Sequence, residues 1–219
     1  MAVLGVDGWR GRWVGALLDD RRVTLLDLPD AVAVLAVPDV EVVATDMPIG
    51  LSEGGVRACD VEARRRLGRA GSSVFPAPLR QVLDASDYPD ACRRSIEASG
   101  RALSRQTWNL VPAIRSLDDA LGNPPDDRVV EVHPELAFRA LDERVRDPKG
   151  SARGLAQRLA ALAAVMDVDL LNAPPLIPAV DVLDACAAAW SAQRIAAATA
   201  TCVGDTARDS HGRPMRICF

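Results

Sequence analysis

The chain has 219 residues, 49% of them hydrophobic, and a formal net charge of −4. This length and apolar content suffice for one globular domain with a sizeable core, and the absence of any run of about 18 apolar residues excludes a transmembrane helix. The slightly acidic balance argues against a general nucleic-acid binder, and the N-terminus lacks the basic segment of a signal peptide, so we expect a cytoplasmic protein with no membrane partner.

The first part of the chain predicts three strands in a hairpin meander, then a short helix and a fourth strand. Apolar runs bounded by turn residues mark the strands, and a proline in the first turn is compatible with the helix. The predicted strands are 3–7, 12–18, 23–27 and 40–46, with the helix at 29–37. The fourth strand is apolar throughout, which is typical of a strand covered on both faces.

The middle of the chain is mostly helical in pattern and is interrupted by a proline-rich loop at 71–78. A fifth strand is predicted at 128–132 and a helix at 134–141. An amphipathic helix at 149–166 and a long apolar helix at 180–199 complete the pattern.

The predicted order is β-β-β-α-β, a helical insertion, and then β-α-α-α. It indicates the α/β class, as a ribonuclease-H-like mixed five-stranded sheet flanked by helices, with a helical insertion after strand 4. Strands one, four and five are then expected side by side. Because no linker or repeat interrupts the chain, we expect a single domain over 1–219 with a helical cap at about 52–120.

Four acidic residues stand where such a sheet would gather them: Asp7, Asp46, Glu131 and Asp184. The first three end predicted strands, and the fourth lies in the otherwise apolar last helix, where a charge is costly to bury unless it is paired or metal-bound. Carboxylates at neighbouring strand ends converge on one edge of a sheet, and oxygen ligands suit Mg²⁺ or Mn²⁺. The alternative is that Asp7 stabilises a turn at Asp7-Gly8 and that Asp46 is an ordinary loop residue.

Three neighbouring residues form a second tier of candidates. His133 is as consistent with a water-orienting base or a metal ligand as with a loop histidine. Glu135 lies in the first turn of a predicted helix, where the helix dipole alone explains an acid. Asp181 precedes Asp184 by three residues on one helix face and is the better N-cap candidate.

Arginine dominates the basic residues, since the chain has 25 arginines and one lysine, Lys149. Residues 57–115 hold eleven arginines against six acids. Genome composition explains the bias, but arginine also matches phosphate geometry. On the second interpretation Arg57, Arg64 and Arg80 are candidates to bind phosphate.

Several short motifs occur in order along nearly the whole chain. They are GVDGW at 5–9, DMPIG at 46–50, RACDVEARRRLG at 57–68, SSVFP at 72–76, QTW at 106–108, EVHPE at 131–135 and DVLDA at 181–185. Together they resemble domain-of-unknown-function family 429, described as predicted nucleases with a ribonuclease-H-like fold. The resemblance implies that Asp7, Asp46, Glu131 and Asp184 form the acidic cluster.

These features favour a metal-dependent phosphodiesterase or nuclease, a hydrolase that acts on nucleic acid through two Mg²⁺ or Mn²⁺ ions. In that hypothesis Asp7 bridges both ions, Asp46 and Glu131 hold one, and Asp184 holds the other. Two alternatives stay open. One is a Mg-nucleotide-binding or phosphotransfer protein, and the other is a non-catalytic binding module of the same fold.

Overall fold

The computed structural model describes residues 1–219, with seven strands and seven α-helices. The strands are β1 (Ala2–Trp9), β2 (Arg12–Asp19), β3 (Arg22–Leu28), β4 (Val40–Thr45), β5 (Val129–Glu131), β6 (Cys202–Arg208) and β7 (Pro214–Cys218). The helices are α1 (Ala31–Leu35), α2 (Ala58–Leu67), α3 (Tyr88–Ser99), α4 (Arg105–Leu121), α5 (Pro134–Leu141), α6 (Ala152–Ala163) and α7 (Ala179–Ala196). None of these helices has the length and apolar character needed to cross a bilayer.

The chain divides into two compact units. Unit one comprises Met1–Met47, Asp127–Thr201 and Cys218–Phe219, and unit two comprises Pro48–Asp126 and Cys202–Ile217. The helical cap predicted at about 52–120 falls inside unit two. The single ribonuclease-H-like domain over 1–219 stays a prediction.

Unit one contains a five-stranded sheet in the order β3-β2-β1-β4-β5. The pairs β1–β2 and β2–β3 are antiparallel, and β1–β4 and β4–β5 are parallel. The predicted mixed five-stranded α/β sheet is therefore confirmed, with strands one, four and five side by side. The first hairpin turns at Arg10 and Gly11, whose φ angles of 48° and 78° suit the two-residue turn that matches strand twist.

Helix α7 packs against β1, β2 and β4, and all its residues from 182 to 192 are buried. The contact is unusually close at Gly5. A Cβ atom there would lie 2.0 Å from the Ala189 backbone nitrogen and 2.2 Å from the Ala185 carbonyl oxygen. Glycine on the strand and alanines on the helix thus let the two backbones approach, which fixes the position of α7 beside β1.

Two predicted helices of unit one start or end differently from the sequence pattern. The helix expected at 149–166 is α6, which begins only after Ser151, whose side chain accepts a hydrogen bond from the Gly154 backbone N–H. Lys149 therefore lies in the loop that precedes α6. Helix α7 begins after Pro178, so Asp181 lies in its first turn and is not the N-cap that the sequence favoured.

Unit two consists of α2, α3, α4, short 3₁₀ turns and the hairpin β6–β7. Helix α4 buries one stripe, formed by Thr107, Val111, Ile114, Leu117 and Leu121. The sequence pattern did not predict the hairpin. Most residues of β6 are exposed and only Val203 is buried, so the strand lacks the alternation of buried apolar residues that marks a strand.

A buried network of two arginines and two aspartates holds unit two together. The Arg80 guanidinium donates to Asp118 at 3.1 Å and also to Asp209, and Arg213 forms an ion pair with Asp118. Asp209 accepts a further hydrogen bond from the Leu51 backbone N–H at 3.0 Å. Positive and negative charges are equal in number here, so each buried carboxylate has a cationic partner.

Candidate functional site

The strand register decides on which side of the sheet each predicted carboxylate lies. Val6 pairs with Thr45, and Thr45 pairs with Glu131, so these three residues form one row across β1, β4 and β5. Asp7 and Asp46 each follow that row by one residue. Because side chains alternate along a strand, Asp7 faces the side opposite to Glu131.

Asp7 shares its face with Gly5, the residue that touches α7. Asp46 immediately follows β4, and Ala44, two residues earlier, pairs with Gly5. On the helix, Asp184 directly precedes Ala185, one of the residues that meet Gly5. The sheet and α7 therefore bring Asp7, Asp46 and Asp184 to one place, which we name the acidic cluster.

The electrostatics of Asp7 and Asp46 reflect this proximity. Burial, together with the charges of Asp184 and Asp181, raises the pKa of Asp7 to about 8, against the opposing effect of Lys149. Burial also raises the pKa of Asp46 well above its usual value, followed by repulsion from Asp7 and then Asp184. Near neutral pH Asp7 and Asp46 therefore retain protons, because burial disfavours their charged forms and neighbouring carboxylates repel them.

Asp184 is the most deeply buried member, with 1% of its surface exposed. Its Oδ2 atom accepts a hydrogen bond from the Lys149 ammonium at 2.7 Å, whereas its Oδ1 atom is buried without a hydrogen-bond partner. Burial raises the pKa of Asp184, and the adjacent Lys149 charge counteracts that rise. Lys149 therefore pairs with one oxygen of one carboxylate of the cluster, and the other Asp184 oxygen is left without a partner.

Lys149 is the functional candidate that the sequence analysis missed. It was noted as the only lysine, but the arginine bias was ascribed to genome composition. Burial alone would lower the pKa of Lys149, yet Asp184, Asp46 and Asp7 together raise it above its usual value. The signal in the sequence was that a chain otherwise restricted to arginine uses lysine at one position.

The fourth predicted ligand, Glu131, is buried and lies in the row of Thr45, on the face of the sheet opposite to Asp7. It contributes the smallest of the named effects on the pKa of Asp46 and is not among the causes that shift Asp7. The register explains this difference, because Glu131 lies in the row of Thr45 on the other face. The structure thus brings together three of the four predicted ligands.

Of the second-tier residues, Glu135 and Asp181 lie near enough to members of the acidic cluster to affect their pKa values. Glu135 forms a 2.5 Å ion pair with the buried Arg158, and both influence the pKa of Asp184. His133 is buried at the N-cap position of α5 and makes no side-chain cap hydrogen bond. Asp181 is half-buried, and burial raises its pKa.

The three arginines predicted to bind phosphate lie in unit two and differ in exposure. Arg57 is buried and forms a 2.5 Å ion pair with Asp60, and Arg80 belongs to the buried network already described. Arg64 is exposed, and its Nε atom donates to the Val74 carbonyl at 2.8 Å. Of the three, Arg64 has a guanidinium that solvent can reach.

The acidic cluster offers the oxygen donors that Mg²⁺ and Mn²⁺ prefer, and Asp184 Oδ1 has an unused lone pair. As the side chains stand, however, no three His, Cys, Asp or Glu residues are arranged to hold a metal ion. The donor chemistry therefore fits a divalent cation, while binding would require the carboxylates to reorient. The positive charge now at Asp184 is the Lys149 ammonium.

Comparison with models of known families matches residues 5–208 to the family described as Protein of unknown function (DUF429). The match covers most of the chain. The searches of curated proteins and of solved structures gave no match.

Proposed function

The chain belongs to the DUF429 family, and from its acidic cluster we propose that it is a metal-dependent phosphodiesterase that cleaves nucleic acid. The observation that carries this proposal is the meeting of Asp7, Asp46 and Asp184, with one buried Asp184 oxygen lacking a partner. Buried carboxylates of like charge repel one another and destabilise the native state. A cation that binds them therefore stabilises the native state.

The fold supports the ribonuclease-H-like assignment. In the order β3-β2-β1-β4-β5, Asp7 lies within the central strand β1, and Asp46 directly follows the parallel neighbour β4. Ligands at the carboxyl ends of parallel strands are a recurrent arrangement in α/β proteins. Fold alone does not determine activity, so the proposal depends on the carboxylates.

Each carboxylate has a distinct role in the proposal. Asp184 and Asp46 would hold the cation. Asp7 would also bind it, after losing the proton that burial and the neighbouring carboxylates favour. A bound Mg²⁺ or Mn²⁺ would polarise the phosphate and lower the pKa of a water molecule. Glu131 lies in the row of Thr45, so we assign the cation to the three aspartates, and the role of Glu131 as a fourth ligand stays a prediction.

The test is Mn²⁺-dependent cleavage of end-labelled single-stranded DNA, duplex DNA, branched DNA and RNA. We expect Asp184→Asn to slow cleavage by more than about 100-fold, because the chemistry needs the bound ion. Glu143→Gln, which changes an exposed carboxylate of unit one, should cleave at the wild-type rate. Equal rates for wild type and Asp184→Asn would refute the proposal.

A second candidate function is a non-catalytic binding module, and one observation favours it. Lys149 already gives Asp184 a cationic partner, so the acidic cluster can persist without metal. Thermal unfolding separates the two candidates, since a ligand that binds the native state raises its melting temperature. No change in melting temperature with millimolar Mg²⁺ or Mn²⁺ would favour the binding module.

A further inference from the structure

The only lysine of the chain contacts the most buried carboxylate of the acidic cluster. The Lys149 Nζ atom lies 2.7 Å from Asp184 Oδ2, while the lysine side chain is 49% exposed and that of Asp184 is 2% exposed. The ammonium also lies close enough to Asp7 and Asp46 for both to affect its protonation. Lys149 thus supplies, from the solvent side, the charge that a divalent cation would supply.

The backbone around Lys149 is fixed to α6, so this contact does not depend on a loose loop. Arg158 donates to the Asp147 carbonyl at 3.0 Å, and Ser151 donates through its hydroxyl to the Pro148 carbonyl at 2.8 Å. The Pro148 carbonyl comes so close to Gly154 that a Cβ atom there would lie 2.0 Å away. The loop therefore holds the backbone of Lys149 in a defined position, and only the flexible side chain can move away from Asp184.

A lysine ammonium and a divalent cation repel each other when both contact the same carboxylate. At the same separation, a divalent ion repels an ammonium group twice as strongly as a monovalent ion does. Outside the cluster, the half-exposed side chain would regain water at its ammonium group. Displacement of Lys149 is therefore the favourable route when a metal ion binds Asp184.

We propose that Lys149 is an intramolecular counter-ion that occupies Asp184 in the metal-free protein and leaves when a divalent cation binds. The inference rests on the proposed function, because it requires the acidic cluster to take up metal. It makes Lys149 a positioning residue that sets the metal affinity of the site. It also accounts for lysine at this position, since a compact ammonium fits one carboxylate oxygen and leaves more easily than a bidentate arginine fork.

The lone lysine allows a direct observation by NMR spectroscopy. Protein labelled with ¹⁵N,¹³C-lysine gives one side-chain Nζ signal, that of Lys149. On addition of Mg²⁺ alone, we expect this signal to move to the position of a solvated lysine. In Asp184→Asn it should already be there without Mg²⁺.

A second, independent measurement is the affinity for Mn²⁺, which is obtained from the electron paramagnetic resonance signal of the unbound ion. Lys149→Met should bind Mn²⁺ at least about fivefold more tightly than wild type, because the competing charge is gone. Arg153→Met is the matched control. It removes a charge from the start of α6, where Arg153 is 84% exposed and pairs with Asp147 rather than with the cluster, and its affinity should stay within about twofold.

Several results would overturn the proposal. One is an Nζ signal that stays in place while backbone signals of Asp7 and Asp46 respond to Mg²⁺. Another is a Lys149→Met variant whose Mn²⁺ affinity equals or falls below that of wild type. In either case, loss of Mn²⁺ binding in Asp184→Asn would show that the metal site itself is real. If neither wild type nor Lys149→Met binds Mn²⁺ at about 10 mM, the proposed function and this inference both fail.

Discussion

Both units bury charged side chains, but they balance them differently. Unit two buries Arg80 and Arg213 with Asp118 and Asp209, two cations against two anions. Unit one gathers Asp7, Asp46 and Asp184 around a single half-exposed Lys149.

The difference separates a structural use of buried charge from a functional one. A balanced network with every carboxylate paired keeps its geometry without further ligands, and removal of one member is costly. An unbalanced cluster raises the pKa values of its acids and favours any cation that relieves the repulsion. We therefore expect mutations in the two units to have opposite effects on stability.

The largest effect is expected where the balance of unit two is broken. Arg80→Met leaves Asp118 and Asp209 short of a cation and should lower the free energy of unfolding by about 3–5 kcal/mol. Urea denaturation at pH 7 measures this loss. A change below about 1 kcal/mol would mean that the network contributes no more than an exposed ion pair.

The opposite sign is expected for Asp7→Asn. The pKa of Asp7 rises from 3.8 to about 8 on folding, so the native state binds more protons than the unfolded state between those values. Stability from this group is therefore full below pH 4 and is lost as the pH rises through about 8.

Without metal, Asp7→Asn should be more stable than wild type by several kcal/mol at pH 9 and about equally stable at pH 4. Urea denaturation in the presence of a chelator at both pH values gives the comparison. A variant that is less stable than wild type at pH 9 would show that neither burial nor the neighbouring carboxylates disfavour the charged form of Asp7.

Metal affinity tests whether Asp46 and Glu131, on opposite faces of the sheet, both bind the cation. Asp46→Asn should weaken Mn²⁺ binding by at least about tenfold, or about 1.4 kcal/mol, because it removes a ligand. Glu131→Gln, on the other side of the sheet, should change it by less than about threefold. Equal losses in both variants, measured by calorimetry, would restore Glu131 as a ligand.

The smallest effect is expected at the exposed Arg64. If Arg64 contacts a phosphate, Arg64→Gln should weaken binding of a DNA or RNA oligonucleotide by about threefold. The slope of log affinity against log salt concentration, which reports the counter-ions released on binding, should fall by about one. The free energy of unfolding should change by less than about 0.5 kcal/mol, because the side chain is at the surface. Fluorescence anisotropy at several salt concentrations provides the measurement, and an unchanged salt dependence would remove Arg64 from the interface.

Most of the fold was predictable because its signals are local. Apolar runs marked β1 to β5, and the pattern for α5 gave the bounds that the structure has. The hairpin β6–β7 gave no such signal, because the residues of β6 are mostly exposed. Its place depends on tertiary contacts such as those of Asp209 with Leu51 and Arg80, which no local pattern encodes.

The site was predictable in part for the same reason. Strand-end positions predicted Asp7 and Asp46, and the cost of burying a charge pointed to Asp184. The side of the sheet that Glu131 faces depends on the register with β4, and a shift of one residue reverses it. Lys149 reaches Asp184 across 35 residues of sequence, through a loop whose path is set by packing on α6.

The most direct test of the acidic cluster is a crystal soaked in Mn²⁺ and measured at a wavelength where manganese scatters anomalously. The result we predict is a peak about 2 Å from carboxylate oxygens of Asp184 and Asp46, with the Lys149 ammonium withdrawn from Asp184. An intact Lys149–Asp184 hydrogen bond, with no manganese among Asp7, Asp46 and Asp184, would contradict a cation-binding role for these residues.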